Sequence, residues 1–247
     1  MAEDLNCYFD GDGVAAAVAD RLTDFAEDRI RKTGSCVVAL SGGSTPNALF
    51  ALLAGEERRQ RLDWQHLYFL WVDERYLPST DPENNFHKAD KLLFSHVRTN
   101  RYPVPTGEDT VEDAARFYGE EVRLVLENCG KSGVDLALLG LGDDGHTASL
   151  FPGSVVLQER ERWIAPVPDG KNWQRVTMTF PCLAEAGELW FTVVGRGKQA
   201  ALEQVLRERR EHEGESWEDR TGKLLPGATV TGRMVRWFVD RAALGRD

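Results

Sequence analysis

Four times along this chain a short, largely apolar run halts at glycine or charge. Cys36–Leu40 halts at Ser41-Gly42-Gly43-Ser44-Thr45-Pro46, and Leu67–Val72 halts at Asp73-Glu74-Arg75. Val134–Leu141 halts at Gly142-Asp143-Asp144-Gly145-His146, and Leu189–Val194 at Gly195-Arg196-Gly197-Lys198. Runs this short and apolar read as buried strands. Helical spacing lies between them: Val14, Val18, Leu22, Phe25 and Ile30 recur across Val14–Arg31. Further helices are expected over Val111–Asn128 and from Lys198 to about Arg209, and Met234–Asp240 reads as a last strand. Strands alternating with helices predict an α/β fold, a doubly wound, mostly parallel sheet with helices on both faces. Such sheets bind ligands outside the carboxyl ends of their strands, where all four runs halt. No repeat or linker interrupts the pattern, so residues 1–247 are expected to form a single domain. The charged stretch Arg207–Arg220 is expected to be a solvated helix end and loop.

Charge narrows the class of partner. Lys and Arg total 30 against 40 Asp and Glu, a formal net charge of −10. That balance disfavours nucleic acid or an anionic membrane as the main partner. It leaves room for a small phosphorylated molecule, which a few local cations can hold. No apolar stretch approaches the ~18 residues of a membrane span. The start carries Glu3 and Asp4 instead of a basic segment and an apolar run, so the cytoplasm is the expected compartment. Cys7, Cys36, Cys129 and Cys182 lack zinc-site spacing and read as free thiols of a reducing compartment. A monomer is the expected state.

The halts carry the chemistry. Gly42 and Gly43 let backbone amides turn toward one point, and Ser44 and Thr45 add hydroxyls where a helix begins. This is an anion cradle, without the GK[ST] ending of a nucleotide-binding loop. Asp73 and Arg75 end an apolar strand, so they are expected to face a cleft or each other. The Arg75 fork suits phosphate oxygens. Gly140-Leu141-Gly142-Asp143-Asp144-Gly145 matches GxGxxG in form only. Pro152 cuts short the helix that should follow, and two aspartates would face the pyrophosphate. A turn presenting Asp144 and His146 for proton transfer is the better reading. Lys198 opens a helix where an ammonium can reach an anion, and Arg175 is a weaker candidate. His66, His87, His96 and His212 form no HExxH, no GxSxG is present, and no metal is expected.

These segments together resemble the 6-phosphogluconolactonase family over almost the whole chain. The resemblance rests on Leu40–Pro46, Trp71–Tyr76, Leu139–Gly153, Arg175–Thr177 and Gly195–Lys198, in order and spacing. It implies a Rossmann-like fold shared with glucosamine-6-phosphate deaminases. It also implies hydrolysis of 6-phosphoglucono-δ-lactone in the oxidative pentose phosphate pathway, with no cofactor. It makes His146 the catalytic histidine, and Ser44, Thr45, Arg75, Arg175 and Lys198 substrate and phosphate contacts. Asp144 is expected to orient His146, and amides near Gly43 or Gly145 to bind the oxyanion. Deaminases of this fold carry an Asn-Glu-Pro run after the histidine, where this chain has Ser149-Leu150-Phe151-Pro152. A sugar-phosphate sensor would leave the Asp144/His146 pair without a use. The chain departs from the family at Asp143, commonly small or apolar. It also departs at Glu83-Asn84-Asn85 in place of Asp-Ser-Asn, which puts a substrate role for Asn85 in doubt.

Overall fold

All five residues of Cys36–Leu40 are buried. Successive side chains of a strand point to opposite faces, so full burial requires cover on both sides of the sheet. The computed structural model, which describes residues 2–246, supplies that cover. Among the described residues the strands are β1 (Ala2–Tyr8), β2 (Cys36–Leu40), β3 (Leu67–Trp71), β4 (Asp73–Arg75) and β5 (Asn100–Arg101). They continue with β6 (Leu136–Gly140), β7 (Ile164–Val167), β8 (Arg175–Met178), β9 (Glu188–Val193) and β10 (Met234–Asp240). Seven form a parallel sheet in the order β1-β10-β9-β6-β2-β3-β5. From β2 the chain steps outward to β3, then returns to β6 on the other side. This reversal opens a crevice between the carboxyl ends of β2 and β6, the place where doubly wound sheets bind ligands.

The helices follow their apolar stripes. Gly11–Thr33 is capped by the Asp10 side chain, which accepts the Gly13 N–H, and ends at Gly34 in the left-handed region. It buries Val14, Val18, Leu22 and Ala26 and packs on the helix Ser44–Ala54. Val111–Asn128 starts at a Thr110 cap and buries Tyr118, Val122 and Val125. The Tyr118 hydroxyl donates to the Trp71 carbonyl at 3.1 Å, tying that helix to β3.

Two expectations need correction. Leu67–Val72 does not run on into Asp73–Arg75 as one strand. The Val72 N–H still donates to Leu40 O at 2.8 Å, but the Val72 carbonyl accepts from Met178 N at 2.7 Å. The chain therefore changes sheets at Val72, and β4 joins an antiparallel sheet ordered β4-β8-β7. Nor is Arg207–Arg220 wholly solvated: Arg209 and Arg220 are only 3% and 2% exposed. Arg209 continues the buried stripe of Leu202 and Val205 at helical spacing. Its guanidinium donates to Val230 O at 2.8 Å, and Arg220 donates to Ala228 O at 3.0 Å. Both thus satisfy carbonyls around the short helix Pro226–Thr229.

Candidate active site

The turn after β6 is closed on itself. Gly142 N–H donates to His146 O at 2.8 Å, and Gly145 N–H donates to Gly142 O at 3.1 Å. Gly145 has φ 79°, where a Cβ would be strained. A Cβ on Gly142 would lie 2.0 Å from His146 Nδ1, so only glycine lets the imidazole fold back over the turn. Behind it, Gly227 N–H donates to Gly145 O at 2.9 Å, and the Thr147 hydroxyl donates to Gly140 O at 2.8 Å.

Asp144 Oδ1 makes a short contact with His146 Nδ1 and accepts the His146 N–H at 3.2 Å. Its Oδ2 pairs with Lys171 Nζ at 2.8 Å. Burial pushes the Asp144 carboxyl up, but hydrogen bonds with Lys171 and His146 outweigh it and hold the group well below the usual carboxylate range. A carboxylate at Nδ1 favours the proton on that nitrogen and leaves Nε2 as an acceptor. His146 lines the cavity in the crevice, and Nε2 has no hydrogen-bond partner among the described residues. The Phe151 ring lies 4.6 Å from the imidazole, centroid to centroid.

Across the crevice the turn after β2 is open. Gly43, at φ 119°, precedes the helix Ser44–Ala54, which has no side-chain cap. Among the described residues the N–H groups of Gly42 and Gly43 find no partner. Those of Ser44 and Thr45 fall in the helix's first turn, where no intrahelical acceptor exists. A Cβ on Gly42 would lie 1.9 Å from Asn85 Oδ1. Asn85 donates from Nδ2 to Asp73 O at 3.0 Å, while its buried Oδ1 has no partner.

The cations come from the small sheet and from the end of β9. Arg75 and Arg175 sit directly opposite one another across β4 and β8. Like charges so placed repel. Asp73 Oδ2 lies 3.6 Å from Arg175 Nη1 and also accepts the Ser149 hydroxyl at 2.5 Å. Burial pulls the Arg175 guanidinium below its ordinary value, and Arg75 pulls the same way against Asp73. Arg75 donates to the Glu83 carbonyl, and its guanidinium carbon stands 5.9 Å from the Trp173 ring. Lys198 ends a short turn after β9 and makes no ion pair among the described residues. These groups, the open turn and His146 converge on one cavity of about 320 Å³. Hollows of about 830 Å³ at Phe94–Tyr102 and about 710 Å³ beside Trp163 are larger; the first is lined by His96, but neither brings a histidine together with a glycine-rich turn at the strand ends.

Most of the sequence candidates thus meet: Gly42, Gly43, Ser44, Thr45, Asp73, Arg75, Arg175, His146 and Lys198 all line this cavity. Asp144 stands behind His146. Of the two suggested oxyanion donors, the Gly145 amide is engaged within its turn and the Gly43 amide is not. Glu74 turns away from the cleft and is 1% exposed. Its carboxyl accepts the N–H groups of Arg75, Asn85 and Phe86 at 2.8, 2.8 and 2.9 Å. Burial pushes it up to about 7 against those donors. Asn85, doubted from sequence, is in the cavity wall. Ser149 and Lys171 were missed. Ser149 lies inside the long motif around His146, but Lys171 carries no local signal. Among the described residues no group of three or more His, Cys, Asp or Glu could hold a metal. Nor is any described helix long and apolar enough to cross a membrane.

Comparison with known proteins places the chain in a family. Residues 10–234 match the family described as glucosamine-6-phosphate isomerases/6-phosphogluconolactonase. A 6-phosphogluconolactonase of Treponema pallidum is 37% identical over 77% of this chain and 80% of its own length. One from Streptomyces coelicolor is 34% identical over 97% of this chain and 92% of its own. The solved 6-phosphogluconolactonase of Thermotoga maritima superposes with a TM-score of 0.80 at 27% identity, covering 96% of this chain and 99% of that one. A monomeric glucosamine-6-phosphate deaminase shares the fold, at TM-score 0.76 and 18% identity over 99% of both chains. The chain belongs to the glucosamine-6-phosphate isomerase/6-phosphogluconolactonase family.

Proposed function

We propose that this chain hydrolyses 6-phospho-D-glucono-1,5-lactone to 6-phospho-D-gluconate, the second step of the oxidative pentose phosphate pathway. The observation that carries the reading is the pairing of an anion cradle, its glycine amides without partners among the described residues, with a histidine that lines the same cavity and is held through Nδ1 by Asp144. The phosphate binds the open turn at Gly42, Gly43, Ser44 and Thr45, with Arg75, Arg175 and Lys198 around it. An anion there also relieves the repulsion between Arg75 and Arg175. Asp73 holds Arg175 and Ser149 in place. The lactone carbonyl then lies beside His146.

His146 Nε2 accepts a proton as water attacks the carbonyl carbon. When the tetrahedral intermediate collapses, the ring C–O bond breaks and the proton passes from His146 to the departing ring oxygen. No cofactor is required. Asp144 keeps the imidazole in the productive tautomer. Deamination of glucosamine 6-phosphate is the weaker reading. The described residues put the Phe151 ring against His146, and Asp144 is the sole carboxylate bonded to it. The soluble lactone substrate suits a single cytoplasmic domain acting as a monomer, without nucleic acid or membrane.

The test follows disappearance of freshly generated lactone above its spontaneous rate. His146→Ala should lower kcat by roughly 10²–10⁴-fold and leave inorganic phosphate binding intact. Well-folded protein that fails to accelerate hydrolysis, or that releases ammonia from glucosamine 6-phosphate, would overturn the reading.

A further inference from the structure

Asp144 Oδ1 carries both contacts to His146, from the ring and from the backbone N–H. One anchored oxygen does not fix a carboxylate, because rotation about its last torsion is soft. The second oxygen has one partner among the described residues, Lys171 Nζ at 2.8 Å. Lys171 comes from the loop between β7 and β8, far in sequence from the turn it meets. Its ammonium also stands 5.8 Å from the Phe151 ring centroid, and the same ring packs on His146. Asp143 Oδ1 is 3.9 Å away on the solvent side. Lys171 is absent from the lining of the cavity that His146 borders, although Arg75, Arg175 and Lys198 all line it.

We propose that Lys171 is a positioning residue for His146, acting through Asp144. The three side chains form a line in which the ammonium sets the plane of the carboxylate and the carboxylate sets the imidazole. Lys171 does not touch the substrate. A half-exposed ion pair adds little to stability, so its contribution is geometric. The proposal rests on His146 as the proton acceptor in the reading above.

The test uses the full chain with 15N-labelled histidine, and Lys171→Met and Lys171→Arg variants. Imidazole 15N shifts of His146 at neutral pH, without substrate, report which nitrogen holds the proton. The parent should show the Nδ1-protonated form, Lys171→Met a mixture of tautomers, and Lys171→Arg a return toward the parent. With lactone, Lys171→Met should lower kcat roughly tenfold, within the range of interactions between contacting residues, and leave KM nearly unchanged. In an Asp144→Asn background the same substitution should add no further loss. Unchanged shifts, a rise in KM at constant kcat, or an equal loss in the Asp144→Asn background would each overturn the proposal. If the parent shows no lactone hydrolysis, the functional reading fails, while the imidazole shifts still decide whether Lys171 positions His146.

Discussion

The turns after β2 and β6 both follow parallel strands, both contain a glycine whose Cβ would run into a neighbouring side chain, and both border the same crevice. They differ in where their polar groups go. In the β6 turn, Gly142, Gly145 and the His146 backbone bond within the turn, and Gly227 and Thr147 fasten it from outside. In the β2 turn the amides of Gly42 and Gly43 bond to nothing described, and Asn85 leaves an acceptor unused beside them. A turn that satisfies its own donors can hold one side chain in one place. A turn that leaves them unsatisfied waits for a ligand. Catalysis needs the first kind, and recognition of an anion needs the second.

The sharpest way to break this contrast is Gly142→Ala. Its Cβ would displace the imidazole, so kcat should fall by roughly 10²-fold or more while phosphate affinity measured by calorimetry stays at the parent value. Loss of both together would mean that the turns are not separate devices.

Stability should also separate the two sides. Glu74, which fixes Asn85 beside the open turn, has its carboxyl raised from 4.5 to about 7 by burial. The folded state then binds its proton more tightly than the unfolded state. The stability this contributes is complete below about pH 4.5 and lost as pH rises through about 7. Denaturant melts at pH 5 and pH 8 should differ by roughly 2–3 kcal/mol more in the parent than in Glu74→Gln. Asp144 on the closed side has the opposite sign: its depressed carboxyl stabilises above about pH 4 and ceases to do so in acid.

Lys198→Ala should weaken phosphate binding about tenfold, more at low salt than at high, with kcat little altered. A kcat loss larger than the binding loss would place Lys198 at the reacting end. Smallest is Gly42→Ala, whose methyl pushes Asn85 aside. It should cost roughly two- to fivefold in phosphate affinity, within the scale of one lost neutral hydrogen bond, and leave the His146 15N shifts untouched.

Much of this was legible in the sequence because the buried strands are nearly all apolar and their ends are marked by glycine. The helix Val111–Asn128 was bounded correctly because its cap and stripe agree. The strands that escaped notice lack such marks. β1 is a polar edge strand, β5 has two residues, and β7 and β8 are four-residue runs in a small antiparallel sheet, one broken by Pro166 and the other opened by Arg175. The cavity residues were readable where a motif fixed their backbone. Lys171 was not, because its meaning depends on a loop from the other sheet reaching Asp144. Arg209 and Arg220 were read as solvated because a charged run looks the same whether its heads find water or buried carbonyls.

The strand order has a consequence for how the chain is made. Among the described residues β10 is the last strand and lies between β1 and β9, so β1 gains its one described sheet neighbour when Met234–Asp240 arrives. During synthesis β1 therefore lacks this neighbour until Met234–Asp240 has left the ribosome. Its polar sequence, Ala2-Glu-Asp-Leu-Asn-Cys-Tyr8, suits that wait, since acidic groups discourage pairing with another nascent chain.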